Sequence, residues 1–121
     1  MDPEDDVICV RGGVVDPSKT LRRAKIDEPR LGHPGVSIAC GAPGSTLDEI
    51  VAAAEIPHGK VRTTTAGRIR EAGFPIHRAG RWPHCTVDLS GAADDAGAQR
   101  LADCFDEAIP NPRASREEQD P

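Results

Sequence analysis

With 121 residues the chain suits one ordinary domain with one core, and its 2% aromatic content, without any Tyr, leaves that core to Val, Ile, Leu, Ala and Cys. A formal net charge of −5 argues against broad binding to a nucleic-acid backbone. No apolar run approaches the roughly 20 residues that a membrane-spanning helix needs, so no membrane partner is expected.

Residues 1–6 are acidic and poor in apolar side chains, the composition of a disordered end. Val7-Ile8-Cys9-Val10-Arg11 reads as a buried strand stopped by Gly12-Gly13, and Pro17-Ser18 opens a short basic helix through about Lys25. Leu31 to Pro34 reads as loop. Val36-Ser37-Ile38-Ala39-Cys40 is the second strand, closed by the turn-rich Gly41-Ala42-Pro43-Gly44. The clearest helix follows: Thr46 and Glu49 form a capping box, and Leu47, Ile50, Val51 and Ala54 fall on one face.

Lys60 to Thr64 suits a strand and Ala66 to Ala72 a helix capped by Gly73. Phe74 to Arg78 is a strand that Pro75 confines to an edge. In His84 to Leu89 the alternation is regular, with Cys85, Val87 and Leu89 on one face and His84, Thr86 and Asp88 on the other. A last helix from about Ala96 to Ile109 would bury Leu101, Cys104, Phe105 and Ala108, and residues 110–121 form a polar, disordered tail. Short strands alternating with helices predict a single mixed α/β domain over residues 7–109.

Cys9, Cys40, Cys85 and Cys104 each sit in an apolar run, without a C-x-x-C pair or histidines at zinc-ligand spacing. They read as buried reduced thiols, and no metal is expected. Together with the absence of a charged-then-apolar leader, this points to the cytoplasm.

Charge is unevenly spread. Between His58 and His84, Lys60, Arg62, Arg68, Arg70, Arg78 and Arg81 face Glu71 alone, so this stretch carries about +5 and the remainder about −10. A solvated face accounts for such a run, and so does an anion site for a phosphorylated ligand. Arg11 ends its strand beside two glycines, where backbone and guanidinium can approach a phosphate closely. Ser37 should face away from Val36 and Ile38. It lies in no G-x-S-x-G elbow and has no evident acidic triad partner, so it reads as a positioning hydroxyl rather than a nucleophile. His84 and Thr86, two apart on a strand, project side by side and can grip a ribose, a phosphate or an amide. His33, His58 and His77 lie near prolines or in loops and read as structural or solvated.

The order of three pieces, Val10-Arg11, then Gly35-Val36-Ser37-Ile38, then His84-Cys85-Thr86-Val87, resembles the ADP-ribosyltransferase-like bacterial toxins first known as a type VI secretion effector. The resemblance implies a small split, twisted sheet with flanking helices and a cleft for NAD as substrate. It implies Arg11, Gly12, Gly35 and Ser37 as cofactor-binding residues, with Arg11 on the dinucleotide phosphates, and His84, Ser37 and Thr86 as the catalytic set around the nicotinamide ribose. A cognate antitoxin or immunity protein would be the macromolecular partner. The chain departs from many transferases of this type in one respect: Glu49, Glu55 and Glu71 lie in or beside predicted helices, and none belongs to a late-strand motif.

Two other readings stand beside it. The His84-Cys85-Thr86 segment also looks like half of the paired signature of two-histidine phosphoesterases, which act on cyclic phosphates and RNA ends and need a second histidine across the cleft. The sequence has no second His-x-Ser or His-x-Thr, since His33 is followed by Pro34-Gly35, His58 by Gly59-Lys60 and His77 by Arg78-Ala79. A non-enzymatic binding or antitoxin-like module is the third. The transferase-like reading requires Ser37 and His84 across one cleft, with Arg11 further along it.

Overall fold

A computed structural model describes residues 2–13 and 16–112. Among these residues six strands, β1 (Ile8–Gly12), β2 (Gly35–Cys40), β3 (Lys60–Thr65), β4 (Ile76–Arg78), β5 (His84–Asp88) and β6 (Ile109–Pro110), form one curled sheet in the order β4-β5-β2-β1-β3-β6. Every neighbouring pair is antiparallel. Four helices, α1 (Pro17–Leu31), α2 (Leu47–Ala54), α3 (Ala66–Glu71) and α4 (Asp95–Ala102), complete the domain.

Strand alternation sorts the side chains onto two unequal faces. Val7 and Cys9 around β1, Val36, Ile38 and Cys40 of β2, and Cys85, Val87 and Leu89 of β5 share a core with Ala24 of α1, Ile69 of α3, Phe74, and Leu101 and Ala102 of α4. Val10, Ala39 and Val61 point the other way and pack with Ile50 and Val51 of α2, flanked by Ile8, Leu47, Ala54 and Ile56. Cys85, Val87 and Leu89 therefore face the core shared with α1, α3 and α4, and not α2. All four cysteines are buried and reduced.

Local signals explain most boundaries. Thr46 accepts from the Glu49 amide at 3.2 Å while the Glu49 carboxylate accepts from the Thr46 amide at 3.2 Å, the reciprocal pair expected at the start of α2. Helix α1 starts on Asp16, whose carboxylate accepts from the Lys19 amide, with Pro17 in its first turn. It runs to Leu31, past the end expected near Lys25, and takes Pro29 into its last turn before Gly32 stops it at φ 83°. The Gly32 amide donates to the Glu28 carbonyl at 2.8 Å, so the helix is closed by its glycine cap and not by the proline.

The last helix is corrected in the other direction. Helix α4 ends at Ala102, not near Ile109, because the carbonyls beyond it find partners on β3. Thr64 Oγ1 donates to the Cys104 carbonyl at 2.7 Å, and Arg62 donates to the carbonyls of Phe105 at 2.8 Å and Asp106 at 2.6 Å. The chain then returns as β6 against Lys60 and Val61.

Both ends make contacts that their composition did not announce. Arg70 donates to the Asp5 carboxylate at 2.6 Å and to the Pro3 carbonyl, and the Gly67 amide donates to the Asp5 carbonyl. Asn111, fully buried, donates through Nδ2 to the carbonyls of Ile56 at 3.1 Å and His58 at 2.8 Å. The expected polar tail thus begins after this anchor; its residues 113–121 lie outside the described residues.

Candidate functional site

The sheet opens between its two central strands. Strands β1 and β2 pair only at Cys9 with Cys40 and Val10 with Ala39. Beyond that point Arg11 and Gly12 pair solely with Arg62 and Val61 of β3, while Gly35 to Ile38 pair solely with β5. The half-buried Arg11 side chain bridges the gap, its Nη1 donating to the Ser37 carbonyl at 2.5 Å. Burial, with the nearby charge of Arg23, holds the Arg11 guanidinium below its ordinary value. A cation already crowded and partly desolvated gains more from an anion than one free in water.

A groove of about 690 Å³ lies along this opening, on the face that α2 covers only in part. Its floor is Val10, Ser37 and Ala39; its walls are the end of α2 with the loop through His58 on one side and the β4–β5 hairpin on the other. A volume of this size suits a nucleotide-scale ligand.

Each wall is fixed by bonds that the local sequence supplies. Ala79 and His84 close the β4–β5 hairpin, with the His84 amide donating to the Arg81 carbonyl at 2.8 Å and the Ala79 amide to the His84 carbonyl at 3.2 Å. His84 Nδ1 lies 2.6 Å from the Ala79 carbonyl. A carbonyl can only accept, so Nδ1 carries a proton, and of the two neutral tautomers the contact selects the one with Nε2 as acceptor. On the opposite wall, Glu55 caps α2 in the left-handed conformation at φ 53°, and Asn111 holds the carbonyls of the following loop. His58 lies so close to Gly12 that a Cβ there would meet its Nδ1 at 2.3 Å. Only glycine lets the loop sit against β1 in this way.

Of the residues singled out in sequence, Arg11, Gly12, Ser37 and His84 line this groove. Gly35 and Thr86 do not. Gly35 is buried opposite Asp88 at the far end of β2, and Thr86 is 5% exposed beside Ser37 in the ladder. His33 and His77 face carboxylates elsewhere, His33 at 3.5 Å from Asp88 and His77 at 3.1 Å from Asp2. Sequence reasoning missed Glu55, His58, Arg81 and Trp82 as lining residues. Only the basic run between His58 and His84 pointed toward any of them; Glu55 reaches the groove through the left-handed turn that ends α2.

The thiols lie on the other face and do not contribute. Hydrogen bonding to Cys85 and Cys9, together with burial, pushes the Cys40 thiol up, which disfavours a thiolate there. Among the described residues no cluster of three or more His, Cys, Asp or Glu side chains could hold a metal ion, and no helix is long and apolar enough to cross a membrane.

No family model, curated protein or solved structure matches this chain.

Proposed function

We propose that the groove binds NAD as substrate and that the protein is an ADP-ribosyltransferase-like toxin, cleaving the nicotinamide–ribose bond and passing ADP-ribose to an acceptor. The observation that carries this reading is the meeting of Arg11, Ser37 and His84 on one groove at the opening between β1 and β2. The C1′–N bond breaks with its electron pair leaving on neutral nicotinamide, and the acceptor's lone pair forms the new bond to C1′. The acceptor's proton needs a base. His84 Nε2 takes that role in the tautomer in which Nδ1 donates to the Ala79 carbonyl and Nε2 carries no proton. The departing pyridine leaves an oxocarbenium-like centre, so orientation of the ribose by Ser37 and of the diphosphate by Arg11 supplies most of the acceleration. Glu55 is the one acidic side chain among the described residues that line the groove, and it offers a carboxylate for a ribose hydroxyl.

Nicotinamide release from NAD by the purified protein tests the reading. His84→Ala is expected to lower turnover by at least about 100-fold, the usual share of a general base, with the fold intact by circular dichroism. Wild-type protein that neither binds NAD in a calorimetric titration nor releases nicotinamide would remove the proposal. Growth arrest on expression, relieved by a cognate partner, is the cellular counterpart.

One observation favours a second reading. His58, expected to be solvated or structural, lines the same groove as His84, so a phosphate could be held between two imidazoles as in a two-histidine phosphoesterase. Cleavage of a cyclic-phosphate RNA end, lost in both His58→Ala and His84→Ala, would select this reading over NAD cleavage.

A further inference from the structure

Trp82 has no part in the bond-breaking scheme above, yet it is the chain's single tryptophan, is 47% exposed and lines the groove next to Arg81. Ile26 and Ile109 are exposed to a similar degree and singly exposed apolar side chains need no explanation; what sets Trp82 apart is its place on the groove, which neither isoleucine lines. The hairpin that presents it is closed by hydrogen bonds at both ends, from Ala79 to His84 and from His84 to Arg81, so the indole stands on a braced support. The floor and opposite wall of the groove supply what an indole cannot: cationic Arg11, and polar Ser37 and His58.

We infer that Trp82 is the stacking platform for the planar heteroaromatic base of a nucleotide, with Arg81 at the same lip drawing in its phosphate. This rests on the nucleotide reading of the groove and names which side chain reads the base. An indole face offers dispersion and quadrupole contact to any flat ring, whether adenine or nicotinamide, and an adjacent guanidinium favours a base that carries phosphate. A sugar phosphate without a base has nothing to gain from it.

The single tryptophan and the absence of Tyr make the test direct, since emission excited at 295 nm comes from Trp82 alone. Adding AMP or nicotinamide mononucleotide is expected to quench or shift that emission in a saturable way, and ribose 5-phosphate to leave it unchanged. The two nucleotides separate an adenine site from a nicotinamide site. By calorimetry, Trp82→Ala should weaken the quenching nucleotide by about 10-fold or more, the scale of one base–aromatic stack, while Trp82→Phe should keep affinity within about 3-fold. NAD binding seen by calorimetry with unchanged Trp82 emission, or with equal affinity in folded Trp82→Ala, overturns this inference and leaves the NAD reading standing. No binding of NAD, AMP or nicotinamide mononucleotide to the wild type overturns both.

Discussion

Among the described residues, 17 buried hydrophobic ones close into one core on the face of the sheet that carries α1, α3 and α4, whereas the hydrophobic cluster beneath α2 has five, Val10, Ala39, Ile50, Val51 and Val61. Both faces belong to the same strands and differ by one residue of register. The first is filled because three helices meet it; the second has one eight-residue helix, and beyond its end the strands part and leave the groove. Apolar burial stabilises the first face, and polar side chains are available to a ligand on the second. Stability and ligand binding should therefore respond to different substitutions.

Phe74→Ala should show the largest effect on the closed face. The ring is 2% exposed and Arg100 sits 4.7 Å above it, so truncation removes packing on all sides and should cost about 3–5 kcal/mol. Chemical denaturation checks it. A loss below 1 kcal/mol, comparable to that of His84→Ala in the groove, would erase the distinction between the faces.

Asn111→Ala falls between the two. It leaves the Ile56 and His58 carbonyls without the donor that holds the groove's outer loop, so a loss of about 1–3 kcal/mol is expected, together with weaker ligand binding. A variant that lost stability and kept full affinity would show that the loop does not shape the groove. Gly12→Ala should cost about 1–2 kcal/mol, because the exposed His58 ring can swing away from the new Cβ while half-buried Ile56, whose Cγ2 it would meet at 2.8 Å, has to shift; its signature is a displaced His58 resonance in an imidazole NMR spectrum.

Much of the fold was legible in sequence where its signals are local. The Thr46 capping box and the alternation in His84 to Leu89 each need only a few neighbouring residues, and they located α2 and the register of β5. The end of α4 was not legible, since Leu101, Cys104 and Phe105 keep helical spacing while their fate depends on Arg62 and Thr64, about forty residues earlier. The groove was legible in its strand residues and not in its loops. Arg11, Ser37 and His84 sit on strands whose direction can be read from alternation. His58 and Trp82 reach the same space through an Asn111 anchor and a hairpin lip, and no periodicity encodes either.

The smallest expected effect comes from Asp88, at the end of β5 and on the open face with His84. Burial alone would raise its carboxyl, but hydrogen bonds from Ser90, including the amide at 2.8 Å, with His33 and His77 nearby, outweigh burial and hold it below the ordinary carboxylate value. A group whose folded value is depressed stabilises the fold when ionised, so its contribution is fully present above the ordinary carboxylate value, near pH 4, and fades as pH falls through the folded value. Asp88→Asn removes that dependence while keeping the shape and an acceptor for the Ser90 amide. At pH 7 the variant should be less stable than wild type by no more than about 1 kcal/mol, since the side chain is partly in water and screened. Once the pH has fallen below the folded value, where both states of the wild type are protonated, the two proteins should unfold at the same urea concentration. An equal gap at both pH values would mean that Asp88 acts through packing rather than charge, and would bring it under the same rules as the closed face.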